Sequence, residues 1–216
     1  MKQFISWLLF FLFCFLVAFT FLLGNALWFA YSKNTYQKLL TQNQELSLSQ
    51  ADRNHLADSI YRGLTQQKSV QAILENGELA FSDKEIIHMQ DVAQLLKVLL
   101  SCLALLSIVL FLWYRRYRRQ KVPYLSYFPL FSILLTLLFV LLILLTFSSS
   151  FTWFHELSFS NDFWLLDIEQ DLLINLFPLS FFIITFAKLG FMTILELTLF
   201  YLLRRKFSDE HPLFVN

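Results

Sequence analysis

Four long apolar segments, separated by polar ones, set the pattern of the 216-residue chain. They run from about 4 to 31, 92 to 113, 125 to 147 and 177 to 203. About 20 helical residues, each adding about 1.5 Å, cross the roughly 30 Å hydrocarbon core of a bilayer. Each segment reaches that length. The pattern therefore predicts an all-α membrane protein with four transmembrane helices.

The first apolar segment has two interpretations. It follows Met1-Lys2-Gln3 directly, and Gly24-Asn25-Ala26 resembles the small-residue cleavage site of a secretory signal peptide. Its apolar run of about 20 residues is longer than the roughly 7 to 15 residues usual in signal peptides. We therefore favour a retained anchor helix over a cleaved signal peptide.

The first long polar segment, residues 32–91, contains signals for local structure. Ser49 is a good helix-capping residue, and the pattern after it predicts a helix that stops at Gly63, a typical helix-ending residue. Asn76-Gly77 is a turn signal. The segment is too long for a simple connector, which predicts a small folded cap.

A further helix begins at the end of this polar segment. Ser82 stands three residues before Glu85, the pattern of a capping box, in which each side chain bonds the other residue's backbone. Nothing breaks the helical pattern from there to about Tyr117. The second span is therefore predicted to start as a helix above the membrane and to enter it near Val92.

Composition supports the membrane assignment and excludes other classes. Apolar residues make up 57% of the chain and charged residues 15%, whereas soluble domains carry about 25% charged residues. The basic residues lie beside the predicted spans and form no separate basic face, which argues against a nucleic-acid partner. Cys14 and Cys102 both fall inside predicted spans, so no disulfide framework is indicated.

Basic residues predict the orientation in the membrane. Nine of the seventeen Lys and Arg residues fall on one side of the four spans, and the positive-inside rule places that side in the cytoplasm. On the other side, residues 148–175 carry five acidic residues and no Lys or Arg. Both termini are then cytoplasmic, and the first and third loops form an extracytoplasmic cap. The predicted order is a short cytoplasmic N-terminus with transmembrane helix 1 (1–31), a cap segment (32–91), transmembrane helix 2 (92–113), a basic cytoplasmic loop (114–124), transmembrane helix 3 (125–147), an extracytoplasmic active-site loop (148–176), transmembrane helix 4 (177–203) and a cytoplasmic tail (204–216).

Two of the four histidines are candidates for chemistry. His55 lies on a charged surface helix and His211 in the C-terminal tail, where both are expected to be solvated. His88 lies just above the mouth of the second span, and Asp91 follows on the same helical face. A carboxylate there can fix one imidazole nitrogen and leave the other as a base. Such a pair is also common as a structural feature.

The second outer segment contains His155 among aromatic and polar residues, including Asn161, Asp162 and Trp164. It is predicted to lie on the same side of the membrane as His88. An aromatic belt in the headgroup region, with incidental polar residues, would give the same composition. The pattern alone leaves both interpretations open.

These residues, in this order, resemble a known family. The resemblance rests on His88-Met89-Gln90-Asp91-Val92, Phe154-His155, Asn161-Asp162, Trp164, and Phe177-Pro178 with Phe181-Phe182, which are similar to motifs of the four-span bacterial lipoprotein intramolecular transacylase (Lit) family. The resemblance implies a Gram-positive plasma-membrane enzyme that acts on diacylglyceryl-modified lipoproteins. It would move the sn-2 acyl chain to the α-amino group of the N-terminal cysteine, giving the lyso-form lipoprotein.

The resemblance also implies the site. His88 and His155 take the positions of the family's two histidines. The choice of His88 as the base comes from its own neighbour Asp91, which can orient it. Asp91, Asn161, Asp162, Trp164 and Met89 are expected to support them or to bind substrate. The substrate lipoprotein and membrane lipid are the expected partners, and no cofactor is expected. Acyl transfer within one substrate needs a base and an oxyanion stabiliser but no enzyme nucleophile.

Two other functions remain open on the sequence. His88, Asp91, His155 and Asp162 could supply the three ligands of a catalytic metal in a membrane hydrolase, although no HExxH motif is present. Lys188 and Glu196 within the fourth span could instead indicate a small transport component, because ionisable residues at membrane depth are often functional. No inverted repeat accompanies them.

Overall fold

A computed structural model of the chain describes residues 2–42, 48–66, 68, 70, 72–119 and 127–210. Over these residues the fold is helical, and the β-pairing is one isolated bridge between Ile73 and Leu79. The helices in chain order are α1 (Lys2–Ala30), α2 (Lys33–Gln42), α3 (Gln50–Gln66), α4 (Asp83–Arg119), α5 (Phe128–Leu145), α6 (Phe147–Ser158), α7 (Leu172–Leu176) and α8 (Leu179–Glu210).

Four of these helices are long and apolar enough to cross a bilayer. The qualifying parts are Gln3–Ala30 in α1, Asp83–Arg116 in α4, Phe128–Leu145 in α5 and Leu179–Lys206 in α8. They coincide with the four apolar segments of the sequence. The prediction of an all-α, four-span membrane protein is confirmed.

Helix α4 begins where the capping box predicts. The backbone N–H of Ser82 donates to Oε2 of Glu85 at 2.7 Å, and the backbone N–H of Glu85 approaches the Ser82 hydroxyl at 3.4 Å. These contacts satisfy backbone groups that the first turn of a helix leaves free. The helix then continues without a break for 37 residues.

The chain forms two compact units. The first comprises residues 1–26, 101–146 and 184–216, and the second comprises residues 27–100 and 147–183. The core of the first unit is built by aromatic and aliphatic side chains of its membrane helices. Its buried members are Phe10, Phe13, Cys14, Val17, Leu110, Phe128 and Leu197.

A polar contact joins α1 to α8 inside the first unit. Asn25 is 8% exposed and its Nδ2 donates to Oγ1 of Thr193 at 3.0 Å and to Oε2 of Glu196 at 2.9 Å. The Glu196 carboxyl therefore accepts a hydrogen bond from a neighbouring helix. Lys188, on the same helix, is exposed on the protein surface.

The second unit has its own hydrophobic core. Apolar side chains from α2, α3, α4, α7 and the connection between α3 and α4 meet there, and several are less than 2% exposed. Because these chain segments share one core, the described residues of the polar stretch 32–91 form a folded part of the protein. The buried members are Tyr36, Leu40, Leu56, Ala57, Ile60, Val70, Ala72, Ala80, Phe81, Met89, Leu173 and Leu176.

Helix α3 starts as predicted but ends later. The Ser49 hydroxyl accepts a hydrogen bond from the backbone N–H of Asp52 at 3.1 Å, which is an N-cap contact. The helix continues past Gly63 to Gln66, so the predicted stop is wrong. Gly63 is used for packing, because a Cβ atom there would overlap the side chain of Val70.

The Asn76-Gly77 turn is present. Gly77 has φ of +84°, a conformation that side-chain-bearing residues rarely adopt. The backbone N–H of Leu74 donates to the carbonyl of Glu78 at 2.9 Å across the turn. The Ile73 to Leu79 bridge lies beside it.

The segment 148–176 is more helical than the predicted loop. Helix α5 ends at Leu145, α6 begins at Phe147, and α7 occupies residues 172–176. The chain from 159 to 171 forms turns between α6 and α7. Loop residues without helical order would leave His155 weakly positioned, whereas here it lies in the last turn of α6.

Candidate functional site

His88 and His155 lie side by side in the second unit. Their ring centroids are 6.0 Å apart, although 66 residues separate them in the chain. Each side chain is 8% exposed. Helix α4 carries the first and helix α6 the second, so two helices fix the spacing of the pair.

A backbone contact sets the tautomer of His155. Its Nδ1 lies 2.7 Å from the carbonyl oxygen of Phe151, one turn earlier in α6. A carbonyl oxygen can only accept, so Nδ1 carries the hydrogen and, in the neutral ring, Nε2 keeps its lone pair. Burial lowers the pKa of His155, and the Phe151 carbonyl offsets part of that effect. His155 therefore stays neutral, with a lone pair on Nε2, at pH values somewhat below the usual pKa of imidazole.

Aromatic rings surround the histidine pair. The ring of Phe151 lies 4.2 Å from that of His155, and Trp164 lies 5.0 Å away on a tilted plane. Phe159 contacts both histidines, at 5.1 Å from His88 and 5.6 Å from His155. These rings remove water from the imidazoles, which is why burial dominates the pKa of His155.

The contacts of Asp91 differ from the sequence expectation. Its Oδ2 accepts a hydrogen bond from Nδ2 of Asn161 at 2.9 Å. Nδ1 of His88 is buried and has no hydrogen-bond partner among the described residues. Asp91 thus binds the segment that follows α6 and does not bond to Nδ1 of His88.

The other predicted site residues fall into two groups. Asn161 and Trp164 lie beside Asp91 and His155, as described above. Met89 is 2% exposed and belongs to the core of the second unit, so it has a packing role. Asp162 is exposed, and its backbone carbonyl accepts from Leu165 at 3.0 Å within the turn.

The remaining histidines lie elsewhere. His55 is exposed on α3, as expected for a solvated residue. His211 falls outside the residues that the structure describes. The histidine chemistry of the described chain is therefore concentrated at His88 and His155.

The candidate ligands for a metal do not converge. Within the described ranges, no three side chains of His, Cys, Asp or Glu lie close enough to form a metal site. Oδ2 of Asp91 is engaged by Asn161, and Asp162 is exposed at the turn. The two histidines meet without a carboxylate completing a ligand set.

Sequence reasoning missed several residues near the site. Phe151 and Phe159 were visible only as part of an aromatic segment, because their contacts with His155 depend on how α6 and the residue after it fold. Lys84 and Asp171 form an ion pair at 2.7 Å across 87 residues. Nothing in the chain signals that pairing, since either residue alone is an ordinary surface charge.

The chain is similar to known proteins in its sequence and in its fold. The family described as "Lipoprotein intramolecular transacylase Lit" matches residues 4–182. No curated protein matches the chain significantly in sequence.

Three solved structures have the same fold. Each was determined in meso and is of the membrane integral lipoprotein intramolecular transacylase Lit from Bacillus cereus. One has a TM-score of 0.64 and 20% identity, covering 94% of this chain and 96% of its own. A variant with one histidine changed to alanine has a TM-score of 0.71 and 22% identity, covering 98% and 97%. A variant with one histidine changed to arginine has a TM-score of 0.66 and 19% identity, covering 98% and 96%.

The family match spans more than half of the chain, and the fold is that of membrane-integral Lit proteins. The chain therefore belongs to the lipoprotein intramolecular transacylase Lit family and is a multi-pass membrane acyltransferase.

Proposed function

We propose that this protein moves the sn-2 acyl chain of a diacylglyceryl-modified lipoprotein to the α-amino group of the same lipoprotein's N-terminal cysteine. The observation that carries the proposal is the buried pair of imidazoles, His88 and His155, 6.0 Å apart. The family supplies the reaction class, acyl transfer within a lipoprotein. The product is a lyso-form lipoprotein with an amide-linked acyl chain.

His155 is the base in this proposal. Its Nδ1 hydrogen bond to the Phe151 carbonyl supports this role, because the lone pair is then on Nε2. This assignment reverses the expectation that Asp91 orients His88 as the base. His88 acts on the ester side of the reaction, at the oxyanion or the leaving oxygen. Its buried Nδ1 has no hydrogen-bond partner among the described residues.

The reaction balances without an enzyme nucleophile. The α-ammonium group loses one proton to His155, and the free amine attacks the ester carbonyl carbon. A carbon–nitrogen bond forms, the carbonyl oxygen becomes an oxyanion, and the nitrogen then loses a second proton. The carbon–oxygen bond to the glycerol breaks, and the departing alkoxide takes one proton through His88. One proton is released to solvent overall.

Positioning supplies much of the acceleration in such a reaction. Holding amine and carbonyl in contact within one site can lower the activation barrier by about 7 to 11 kcal/mol. Burial of both imidazoles at 8% exposure also limits water, which would otherwise hydrolyse the ester. The reaction needs neither a covalent enzyme intermediate nor a cofactor.

The proposed location of the site is the outer leaflet. The basic residues on one side of the spans and the acidic segment 148–175 on the other support this orientation. The lipoprotein's acyl chains would then stay in the bilayer while its peptide remains in the aqueous phase. Both termini would be cytoplasmic.

The test compares lipoproteins from cells with and without this chain. Mass spectrometry of their N-terminal lipopeptides should show the amide-linked, lyso form only in cells that contain the wild-type protein. Purified protein in detergent should convert a synthetic diacyl lipopeptide to the same product in the presence of EDTA. Product that is free fatty acid, or activity that EDTA abolishes, would contradict the proposal in favour of a metal-dependent hydrolase.

A further inference from the structure

A charged contact joins the start of α4 to the segment before α7. Nζ of Lys84 lies 2.7 Å from Oδ2 of Asp171 and donates to the carbonyl oxygen of Leu165 at 3.2 Å. The backbone N–H of Asp167 also donates to Oδ2 of Asp171, at 2.6 Å. Burial alone would raise the pKa of Asp171, but the Lys84 ammonium and the Asp167 N–H hold it below its ordinary value.

A second buried carboxylate reinforces the contact. Glu85 is 1% exposed, and its Oε1 accepts from the backbone N–H of Leu173 at 2.6 Å. Its Oε2 accepts from Ser82, whose hydroxyl also lies 3.3 Å from Oδ1 of Asp171. Glu85 therefore does more than complete the capping box of α4, because it also satisfies a donor in the first turn of α7.

The contact lies one helical turn from the histidine pair. Lys84 precedes His88 by four residues in α4, so both project from the same face of the helix. The segment from His155 to Asp171 is held against that face at successive turns. Asp171 meets Lys84, His155 meets His88 and Asn161 meets Asp91.

Charge pairs of this kind are poor sources of stability. Desolvation offsets much of their attraction, and Lys84 retains 35% side-chain exposure, where solvent weakens the pair further. They do impose a register, because each partner must reach one specific atom. The Lys84–Asp171 pair joins α4, which carries His88, to the segment that continues from α6, which carries His155. It therefore fits a positioning role better than a stabilising one.

We propose that Lys84, Glu85 and Asp171 form a clasp that positions the two histidines by holding the segment from α6 to α7 in register on α4. The proposal rests on the proposed function, in which both histidines act on one substrate. The three residues do not touch the substrate. Without the clasp, the segment moves on α4 and the spacing of His88 and His155 changes.

The first experiment measures catalysis and stability together. Lys84→Met, Asp171→Asn and the double variant are purified in detergent and assayed on a diacyl lipopeptide. Each should lower kcat by about 10- to 100-fold, as expected when reacting groups are misplaced, with KM within about twofold of wild type. The double variant should be no worse than either single one, because both remove the same contact. Asp171→Asn and the double variant should melt near the wild type, whereas Lys84→Met leaves the buried Asp171 carboxylate without its cation and should melt lower.

Matched variants separate positioning from general damage. Lys84→Arg keeps a cation that can reach Asp171 and should recover most of kcat. Lys33→Met removes a different ion pair of the same unit, to Asp58, with the same 2.7 Å spacing, and should leave kcat unchanged. Glu85→Gln retains an acceptor for Leu173 and should lose less activity than Glu85→Ala.

A second experiment needs no activity. Spin labels on cysteines at Gln90 and Glu156, both exposed and each close in sequence to one histidine, report the spacing of α4 and α6. The background carries Cys14→Ala and Cys102→Ser. The distance distribution should be narrow in this background and broader after Lys84→Met, but unchanged after Lys33→Met.

The two experiments distinguish the clasp from the function on which it rests. A wild-type protein that forms no lyso-lipopeptide would refute the proposed function, and the spin-label distances would still test the clasp. Wild-type kcat or an unchanged distance distribution in Lys84→Met would refute the clasp. Loss of kcat only in proportion to a lower melting temperature would refute it as well.

Discussion

The side-chain amide of Asn161 donates a hydrogen bond to the carboxylate of Asp91, 2.9 Å away and 70 residues earlier in the chain. The other end of the same amide is also used, because Oδ1 of Asn161 accepts from the backbone N–H of Phe163 at 3.1 Å. Asn161 therefore shapes the turn and attaches it to α4. Trp164, directly after this turn, packs on His155.

Removing either end of this bond should loosen the turn. Asn161→Ala and Asp91→Ala should each lower the free energy of unfolding by about 1.5 to 3 kcal/mol, the range for a hydrogen bond to a charged group. The double variant should be nearly as stable as Asn161→Ala alone, which also loses the contact to the Phe163 backbone. Thermal unfolding in detergent tests this, with Gln50→Ala as a control, since it removes an exposed amide contact to Asn54 at 3.3 Å. Fully additive losses would show that the two residues do not share a bond.

The pKa of His155 predicts the pH dependence of activity. Because burial lowers it below the ordinary value of about 6.5, the base should stay active below that pH, and the acid limb of kcat/KM should fall at a lower pH. Trp164→Ala admits water to the ring and should move this limb upward, toward 6.5. Trp153→Ala is the control, because that side chain is 65% exposed. An acid limb at or above 6.5 in the wild type would contradict the prediction.

The same pKa predicts the pH dependence of stability. With the folded pKa of His155 below the unfolded one, the unfolded chain binds more protons between the two values. Stability from this group is therefore present above about pH 6.5 and is lost as the pH falls through that window. His155→Gln should reduce the dependence of the melting temperature on pH between about 6.5 and the lower pKa that His155 has in the folded protein. An unchanged slope would remove His155 as its source.

The two histidines should behave as one catalytic unit. His88→Ala and His155→Ala should each lower kcat by about 100-fold or more, the scale of general acid–base catalysis. The double variant should be barely worse, because residues that act together are strongly non-additive. Assays on a diacyl lipopeptide measure this, and His55→Ala, an exposed histidine of the same unit, should be fully active. Multiplicative losses would indicate two independent sites.

Helix packing in the first unit gives a prediction about stability. A Cβ atom on Gly190 would lie 2.7 and 2.8 Å from the two methyl carbons of Val140. The observed close packing of α8 on Val140 of α5 therefore requires glycine at position 190. Gly190→Ala should destabilise the protein by about 1 to 3 kcal/mol through overpacking. Gly24→Ala has no atom within 4 Å of the new carbon and should be neutral or slightly stabilising, since alanine favours helix. Equal melting temperatures for the two variants would contradict this.

The orientation in the membrane is tested by chemical labelling. Single cysteines at Gln66 and Ser149 should react with an impermeant thiol reagent in intact cells, because both lie in the proposed outer segments. A cysteine at Gln120, outside the described residues, should react only after the membrane is permeabilised. Cys14 and Cys102 are replaced first. Labelling of Gln120 alone in intact cells would reverse the orientation and place the histidines at the inner leaflet.

Most of the fold was determined by the sequence itself. Apolar runs of membrane-spanning length have few alternatives, because a lipid-exposed backbone must satisfy its own hydrogen bonds and a helix does so locally. Caps and turns are local too, so Ser49, Ser82 with Glu85, and Asn76-Gly77 act as predicted. Gly63 fails as a stop signal for a tertiary reason, since it makes room for Val70.

The site was only partly determined by the sequence. Its motifs identified His88 and His155 as candidates, but their distance, their burial and the tautomer of His155 depend on how α4 and α6 pack. Spacing along one helix suggested that Asp91 serves His88. In the folded protein the carboxylate of Asp91 instead accepts a hydrogen bond from Asn161, which lies 70 residues later in the chain.

What the tertiary structure alone decided is the set of long-range polar contacts. Lys84 with Asp171, Glu85 with Leu173 and Asp91 with Asn161 each join residues 70 or more positions apart. Such pairs produce no periodic pattern in the sequence, because one carboxylate could accept a hydrogen bond from many different donors. Local patterns determine which helices form, whereas the packing of those helices determines which side chains meet.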